Sequence, residues 1–351
     1  MSLSTARRKA IVIGGGVAGL QAAIGLAAGD VDVVLVEKDR ALGGWLRRVH
    51  RTYPELEPPS RYLDVLLAKV DSNPKIKVLT GTEAVNAKKN SVFSVELRTG
   101  DAASGTAIAD VVVVATGMDP VDARAIPEFG LSKYPDVVTS LGFEEMLLAG
   151  DALKRRSDGS PVKTIAFIQC VGSRVEKRGV SYCSALCCSE SVKQAILAKE
   201  ADRSLLAYIL YIDLRTTSRG CEAMYKRARQ VGVRFVRGQP SMVLRRPGTD
   251  KLIVAGENTL AKELYEIQAD LVVLSVGLEL ADSTKALLRG MGAQLDREGL
   301  SSHGDVASGT STTVPGLFVA GCAESPKDVH ASIAHGSEAA LSALEFLKSK
   351  D

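Results

Sequence analysis

Four of the six cysteines in this 351-residue sequence crowd into one stretch, as Cys170, Cys183, Cys187 and Cys188, in the pattern C-x12-C-x3-C-C. Thiolates are soft ligands, suited to zinc and to iron–sulfur clusters. Three arrangements suit this set. A 4Fe-4S cluster takes four cysteines at spacings that differ between families. A structural zinc also takes four, but usually as two C-x2–4-C pairs, which this is not. Buried thiols without metal are the third. A disulfide framework is disfavoured in a reducing compartment. Cys183 and Cys187 stand at i and i+4 and would share one face of a helix. Cys188 lies about 100° further round, so a helix is expected to begin among these residues or to be distorted there.

A second chemical motif opens the chain. Gly14-Gly15-Gly16-Val17-Ala18-Gly19 follows the apolar run Ala10–Ile13 and fits G-x-G-x-x-G at the start of a helix. Gly14 permits the tight turn, Gly16 lets the backbone approach a pyrophosphate, and Gly19 lets the helix pack on the strand. The helix N-terminus offers free N–H groups to phosphates. Glu37 ends the next apolar run, placed to accept hydrogen bonds from ribose hydroxyls. A dinucleotide site is the expectation.

The elements that position these motifs alternate between strand-like and helical patterns, the sign of a doubly wound parallel sheet. Strands are expected at 10–13, 31–36, 76–79 and 110–115, helices at 17–28 and 62–70, and a hairpin near 91–108. A new strand–helix series begins at Thr164–Ile168, continues through Leu205–Asp213 and Val233–Arg237, and reaches Asp270–Val276. A strand at Leu317–Ala320 and a helix from about Ala331 close the chain. Residues 119–160 hold Pro120, Pro127 and Pro135 and read as a connection with one helix near Leu141–Leu148. The runs ending in Thr116-Gly117 and Val276-Gly277 look alike and suggest two related dinucleotide-type folds. In the second series the first strand leads into Cys170-Val171-Gly172-Ser173-Arg174, with no second G-x-G-x-x-G, which argues against a nicotinamide site there.

The balance of 44 basic and 41 acidic residues gives +3, too little to argue for nucleic acid or an anionic membrane. No run approaches the roughly 20 apolar residues of a membrane span. Arg7-Arg8-Lys9 precedes too short an apolar run for an export signal. A cytoplasmic protein is expected.

Beyond the glycine turn, Glu37-Lys38-Asp39-Arg40-Ala41-Leu42-Gly43-Gly44-Trp45, Ala115-Thr116-Gly117 and Thr313-Val-Pro-Gly-Leu-Phe-Val-Ala-Gly321 resemble three FAD signatures of two-dinucleotide-binding-domain flavoproteins. The resemblance implies FAD, an α/β fold, and cofactor contacts from Gly14, Gly16, Val17, Ala18, Gly19, Glu37, Lys38, Gly43, Gly44, Trp45, Val85, Ala115, Thr116, Gly117, Gly321, Cys322, Lys327, Asp328 and Val329. The last signature usually ends in Gly-Asp; Gly321-Cys322 stands here, with backbone or Asp328 as the expected substitute. The helix from about Val329 would aim its dipole at the flavin. The implied layout is an FAD domain of residues 1–118 and 281–351, a connection of 119–160, and an inserted Rossmann-like domain of 161–280 carrying the cluster.

Phe167-Ile-Gln-Cys-Val-Gly-Ser-Arg174 and Tyr182-Cys-Ser-Ala-Leu-Cys-Cys188 resemble the A subunits of heterodisulfide reductases, as do Tyr134–Ser140, Tyr211–Arg215, Leu271–Gly277 and Gly321–Asp328. That resemblance implies FAD, a 4Fe-4S cluster on Cys170, Cys183, Cys187 and Cys188, a homodimer, and B- and C-like partner subunits. The methanogen subunits are longer, with further cysteine-rich segments not present in this sequence. The short form looks more like the A-like subunit of sulfur-oxidising prokaryotes, with the A subunit of the quinone-modifying oxidoreductase as runner-up. An NAD(P)H-dependent flavin disulfide reductase is the rival of another type; it would need a C-x2–4-C pair and a second glycine fingerprint. Lys193, one turn and a half beyond Cys188, would reach the flavin or cluster and stabilise a reduced form, or else be a solvated helix lysine. Arg174 faces the same choice. Cys221 and Cys322 have no partners at ligand spacing; His330 and His335 would touch the flavin end or else be structural histidines.

Overall fold

The computed structural model describes residues 7–150, 152–175, 178–246, 248–305 and 307–350. In chain order, the strands of its two parallel sheets are β1 (Lys9–Ile13), β2 (Asp32–Val36), β3 (Ile76–Leu79), β4 (Val111–Val114), β5 (Val137–Thr139), β6 (Thr164–Val171), β7 (Leu206–Tyr211), β8 (Arg234–Arg237), β9 (Leu271–Val276) and β10 (Leu317–Val319). The helices are α1 (Val17–Ala28), α2 (Ser60–Asp71), α3 (Ser140–Leu148), α4 (Cys187–Ala201), α5 (Cys221–Gln230), α6 (Asp282–Gly290) and α7 (Val329–Lys348).

The chain divides into two units, one of residues 1–47, 60–119 and 280–351, the other of 48–59 and 120–279. In the first, the sheet order is β10-β4-β1-β2-β3, every pair parallel. The β4 sequence Val-Val-Val-Val is buried at every position, as expected for a parallel strand covered on both faces. The Ala- and Leu-rich α1 buries Leu20 and Leu26 completely in this core. Its Gly25 lies so near α7 that a β-carbon there would stand 2.7 Å from the Ala340 Cβ.

In the second unit the order is β8-β7-β6-β9-β5, again all parallel. Its core holds Phe143, Phe167, Ile165 and Ile196, with no exposure. Each unit also has a three-stranded antiparallel sheet placed before its fourth long strand. The first runs through Thr82–Lys89, Phe93–Thr99 and Ala102–Ala109, one strand more than the expected hairpin. The second runs through Met242–Arg245, Leu252–Asn258 and Glu263–Ala269.

The two units therefore repeat one plan. In each, the first strand of the βαβ series (β1 or β6) lies at the centre of the sheet; the next two strands add to one side, and the chain then returns to the other side with β4 or β9. Ligands of such sheets bind at the carboxyl end of that strand. The 119–160 stretch, read from sequence as a connection, contributes more than its one helix. Val137–Thr139 forms edge strand β5, paired with Val272–Leu274 of β9. Three residues between a proline-rich loop and a helix are too few for a periodic signal. Among the described residues no helix is long and apolar enough to cross a membrane.

Candidate functional site

In the first unit the loop after β1 is three glycines long. A β-carbon on Gly14 would stand 2.3 Å from the Ala115 carbonyl oxygen, and one on Gly19 1.9 Å from the Gly14 oxygen. Neither position tolerates a side chain. Gly16 meets nothing within 4 Å, so its outer face is open. The first turn of α1 has no side-chain cap and no acidic residue, which leaves its N–H groups and positive dipole to an anion. Val17 and Ala18 begin that turn.

Glu37 is buried at the end of β2. Its carboxylate accepts the Gly15 N–H at 2.6 Å and the Asp39 N–H at 2.7 Å. These bonds fix the carboxylate beside the turn and leave each oxygen a further lone pair for a ribose hydroxyl. Gly43 donates its N–H to the Gly15 oxygen at 2.8 Å, and a β-carbon on Gly44 would stand 3.2 Å from the Gly16 Cα. Trp45 is partly exposed, its indole N–H donating to the Met118 oxygen at 3.1 Å. Ala115, Thr116 and Gly117 follow β4; Gly117 has φ +74° with open space beside it, and Thr116 accepts the Thr284 hydroxyl at 3.0 Å. These residues form a cradle whose chemistry suits a dinucleotide. Lys38, two residues beyond β2, and Val85, in the Thr82–Lys89 strand, are exposed.

The last signature leads into α7. Asp328, the proposed substitute for a ribityl contact, caps α7 by accepting the Ala331 N–H at 2.8 Å, with Val329 as the first helical residue. The Cys322 thiol donates to the Lys327 oxygen at 3.2 Å and accepts the Lys327 N–H at 3.3 Å, closing a turn. The Lys327 ammonium pairs with Glu324. His330 is exposed and lies edge-on to Tyr62, ring centroids 5.3 Å apart. His335 holds the Gly321 turn, a role the sequence did not reveal. Its Nδ1 accepts the Gly321 N–H at 2.9 Å, and Nε2 lies 3.0 Å from the Gly309 oxygen.

Nδ1 accepts only while unprotonated. Burial, aided by Lys327, holds the imidazole below its ordinary 6.5. The unfolded chain therefore takes up a proton before the folded one, and stability is lost as pH falls below 6.5. The first unit's thermal midpoint should drop between about pH 7 and pH 5 and flatten in His335→Gln; equal slopes in both proteins would exclude this role.

The second unit's equivalent loop runs from the end of β6 to α4 and carries the cysteines. A β-bulge interrupts β6 between Ile168 and Val171, and Cys170 there adopts φ +60°. Arg174 and Ala185 in the same loop have φ +63° and +55°. Left-handed backbone at three non-glycine residues is costly and gathers where a site imposes it. Helix α4 begins at Cys187, so Cys183 precedes it and the two do not share a helical face.

Cys170, Cys187 and Cys188 are buried, and Cys183 is partly exposed. Cys170 and Cys187 each lie within electrostatic reach of the other three thiols. Burial and the neighbouring Cys188 push Cys170 up to about 11. A hydrogen bond from Cys187 lowers Cys188 to about 7, helped by Arg215 and Arg174, and the same bond with burial raises Cys187. Among the described residues no three His, Cys, Asp or Glu side chains converge closely enough to hold one metal ion. A four-iron cluster is wider than an ion, with cysteine sulfurs farther apart. Four cysteine sulfurs gathered in one loop have the donor chemistry for it once deprotonated.

Lys193 does not point freely towards this loop. It is fully buried, with Glu190 Oε1 at 2.6 Å and Glu144 Oε1 at 3.1 Å, and it donates to the Arg51 oxygen at 2.8 Å. Burial alone would depress the ammonium, but the two carboxylates hold it above its ordinary value. The His50 N–H donates to Glu144 at 2.7 Å, so the network fastens 48–59 to α3 and α4. Its charge is spent on these carboxylates, contrary to the expected role at flavin or cluster.

The pyridine nucleotide-disulphide oxidoreductase family model matches residues 8–140. The chain is 30% identical to the iron–sulfur A subunit of the CoB–CoM heterodisulfide reductase of Methanocaldococcus jannaschii, over 95% of this chain and 63% of that protein. It is 31% identical to the second of two such A subunits from Methanopyrus kandleri, over 97% of this chain and 64% of that one. The chain thus spans less than two thirds of these relatives' length. In fold it resembles the thioredoxin reductase of T. acidophilum, with a TM-score of 0.69, 18% identity, and coverage of 98% of this chain and 100% of that one. The bacillithiol disulfide reductase of Bacillus cereus gives 0.66 at 17% identity, covering 99% and 100%. The chain has the fold of the flavoprotein disulfide reductases and is related, over almost its whole length, to the A subunits of heterodisulfide reductases.

Proposed function

We propose that the chain is an oxidoreductase subunit that binds FAD in its first unit and a 4Fe-4S cluster in its second, and passes electrons between them in a heterodisulfide reductase-like complex of sulfur metabolism. The observation that carries this reading is the repeated plan of the units. At the end of the central strand, where one unit has a glycine turn, the other has Cys170, Cys183, Cys187 and Cys188. When bound, FAD exchanges one or two electrons and the cluster exchanges them singly.

The chain's own residues bind and orient. Gly14, Gly16 and Gly19 bring backbone N–H groups to the pyrophosphate, and Glu37 takes the ribose hydroxyls. The three apolar glycine neighbours Val17, Ala18 and Ala115 keep that turn close to the sheet. The four thiolates hold the irons, and the N-terminus of α4 favours their negative charge. Gly43, Gly44, Thr116, Gly117 and Gly321 line the remaining cofactor path. Partners resembling the B and C subunits would take the electrons onward. The six free thiols suit a reducing cytoplasm, and a homodimer follows the family pattern.

An anaerobic reductive titration tests this reading, with flavin absorbance and the cluster's paramagnetic signal followed together. Dithionite should reduce both centres, and stoichiometric NADH should leave the flavin oxidised. Rapid bleaching by NADH in a chain without a cluster signal would replace the relay with a pyridine-nucleotide reductase.

A further inference from the structure

Arg174 sits in the cysteine loop in a left-handed conformation, φ +63°, with its N–H donating to the Tyr182 oxygen at 3.1 Å. Its guanidinium meets Asp213 Oδ2 at 3.0 Å and lies in hydrogen-bonding and Coulombic reach of the Cys170 thiol. Asp213 follows β7, and its carbonyl oxygen lies 3.6 Å from the Cys188 sulfur. The Arg237 guanidinium meets the same carboxylate at 3.8 Å. The Arg174–Asp213 pair thus stands beside the thiols, the guanidinium about one quarter exposed and the carboxylate less than half exposed, with Arg237 on the same carboxylate and Arg215 near Cys188.

The left-handed backbone at Arg174 is costly, and its guanidinium is held at the Asp213 carboxylate beside Cys170. A charge so held acts on the electron count of the neighbouring centre, because reduction adds negative charge that a cation stabilises and an anion opposes.

We propose that Arg174 and Asp213 form a charge pair of opposite effect that sets the reduction equilibrium of the centre held by the four cysteines. This rests on the cluster reading above. Arg174 is a positioning and tuning residue; it is not a ligand. Removing its charge favours the oxidised centre, and removing the charge of Asp213 favours the reduced one.

The test is an anaerobic redox titration of the purified full chain, with the paramagnetic signal of the cluster as readout. Arg174→Gln should disfavour reduction by about tenfold, roughly 59 mV for a one-electron couple. Arg174→Lys should stay near the parent protein, since it keeps the charge. Asp213→Asn should move the opposite way, by about threefold, because solvent screens the more exposed carboxylate. Iron content of each variant separates ligand loss from tuning. Iron-loaded variants with superimposable midpoints, or with Arg174→Gln and Asp213→Asn shifted in one direction, would overturn the proposal while leaving the cluster reading intact. A parent chain without iron would overturn both.

Discussion

Cys183→Ser should lose most of its iron and keep its flavin. Cys183 is the one partly exposed member of the set, outside any helix, so its replacement by the near-isosteric serine disturbs little packing. Its sulfur accepts the Ala185 N–H at 3.4 Å, a bond that a hydroxyl accepts equally well. Serine is a poor ligand for iron in a cluster, which needs soft thiolate donors. The flavin cradle is built from other residues of the first unit and should be unaffected. Iron and flavin analysis of variant and parent, purified without air, gives the comparison. Full iron with an unchanged spectrum would remove Cys183 from the ligand set.

Lys193→Met should be the most damaging single change away from the cofactors. It leaves the buried Glu144 carboxylate with no cation, beside a Glu190 carboxyl that burial raises to about 8. Burial alone would raise the Glu144 carboxyl, but Lys193 and the bonds from His50 and Gln194 bring it below its ordinary value. Breaking one partner of such a pair costs about 3–5 kcal/mol. Amide exchange reports this locally. Protection in α4 should fall by about two to four orders of magnitude, with little change in the first unit. The combined variant K193M/E144Q/E190Q, which removes every charge, should recover much of the loss. A fall in protection of less than about fivefold in Lys193→Met would show that the network is not a stabilising element.

The glycine turn and the order of strands and helices were legible because their signals are local. Val17–Ala28 emerges with the bounds its Ala- and Leu-rich pattern suggests, and β3 does likewise. The grouping of the cysteines was legible for the same reason. What remained hidden depends on contacts between distant residues. Lys193 reads as a helix residue near Cys188, yet its partner Glu144 lies 49 positions earlier and its other contact is at Arg51. His335 looks like a lone histidine until Gly309 and Gly321 are brought to its two nitrogens. Asp328 carries the right chemistry for a ribityl contact, and its second task, capping α7 through the Ala331 N–H, shows only once the helix start is in place. The strand β5 was missed because its three residues acquire meaning only beside β9.

The most direct measurement is the iron, acid-labile sulfide and flavin content of the full chain purified without air. With sulfurs at the mouth of the second fold and a dinucleotide at the mouth of the first, the expected content is about four irons and about one FAD per chain. A yellow, iron-free protein would contradict it.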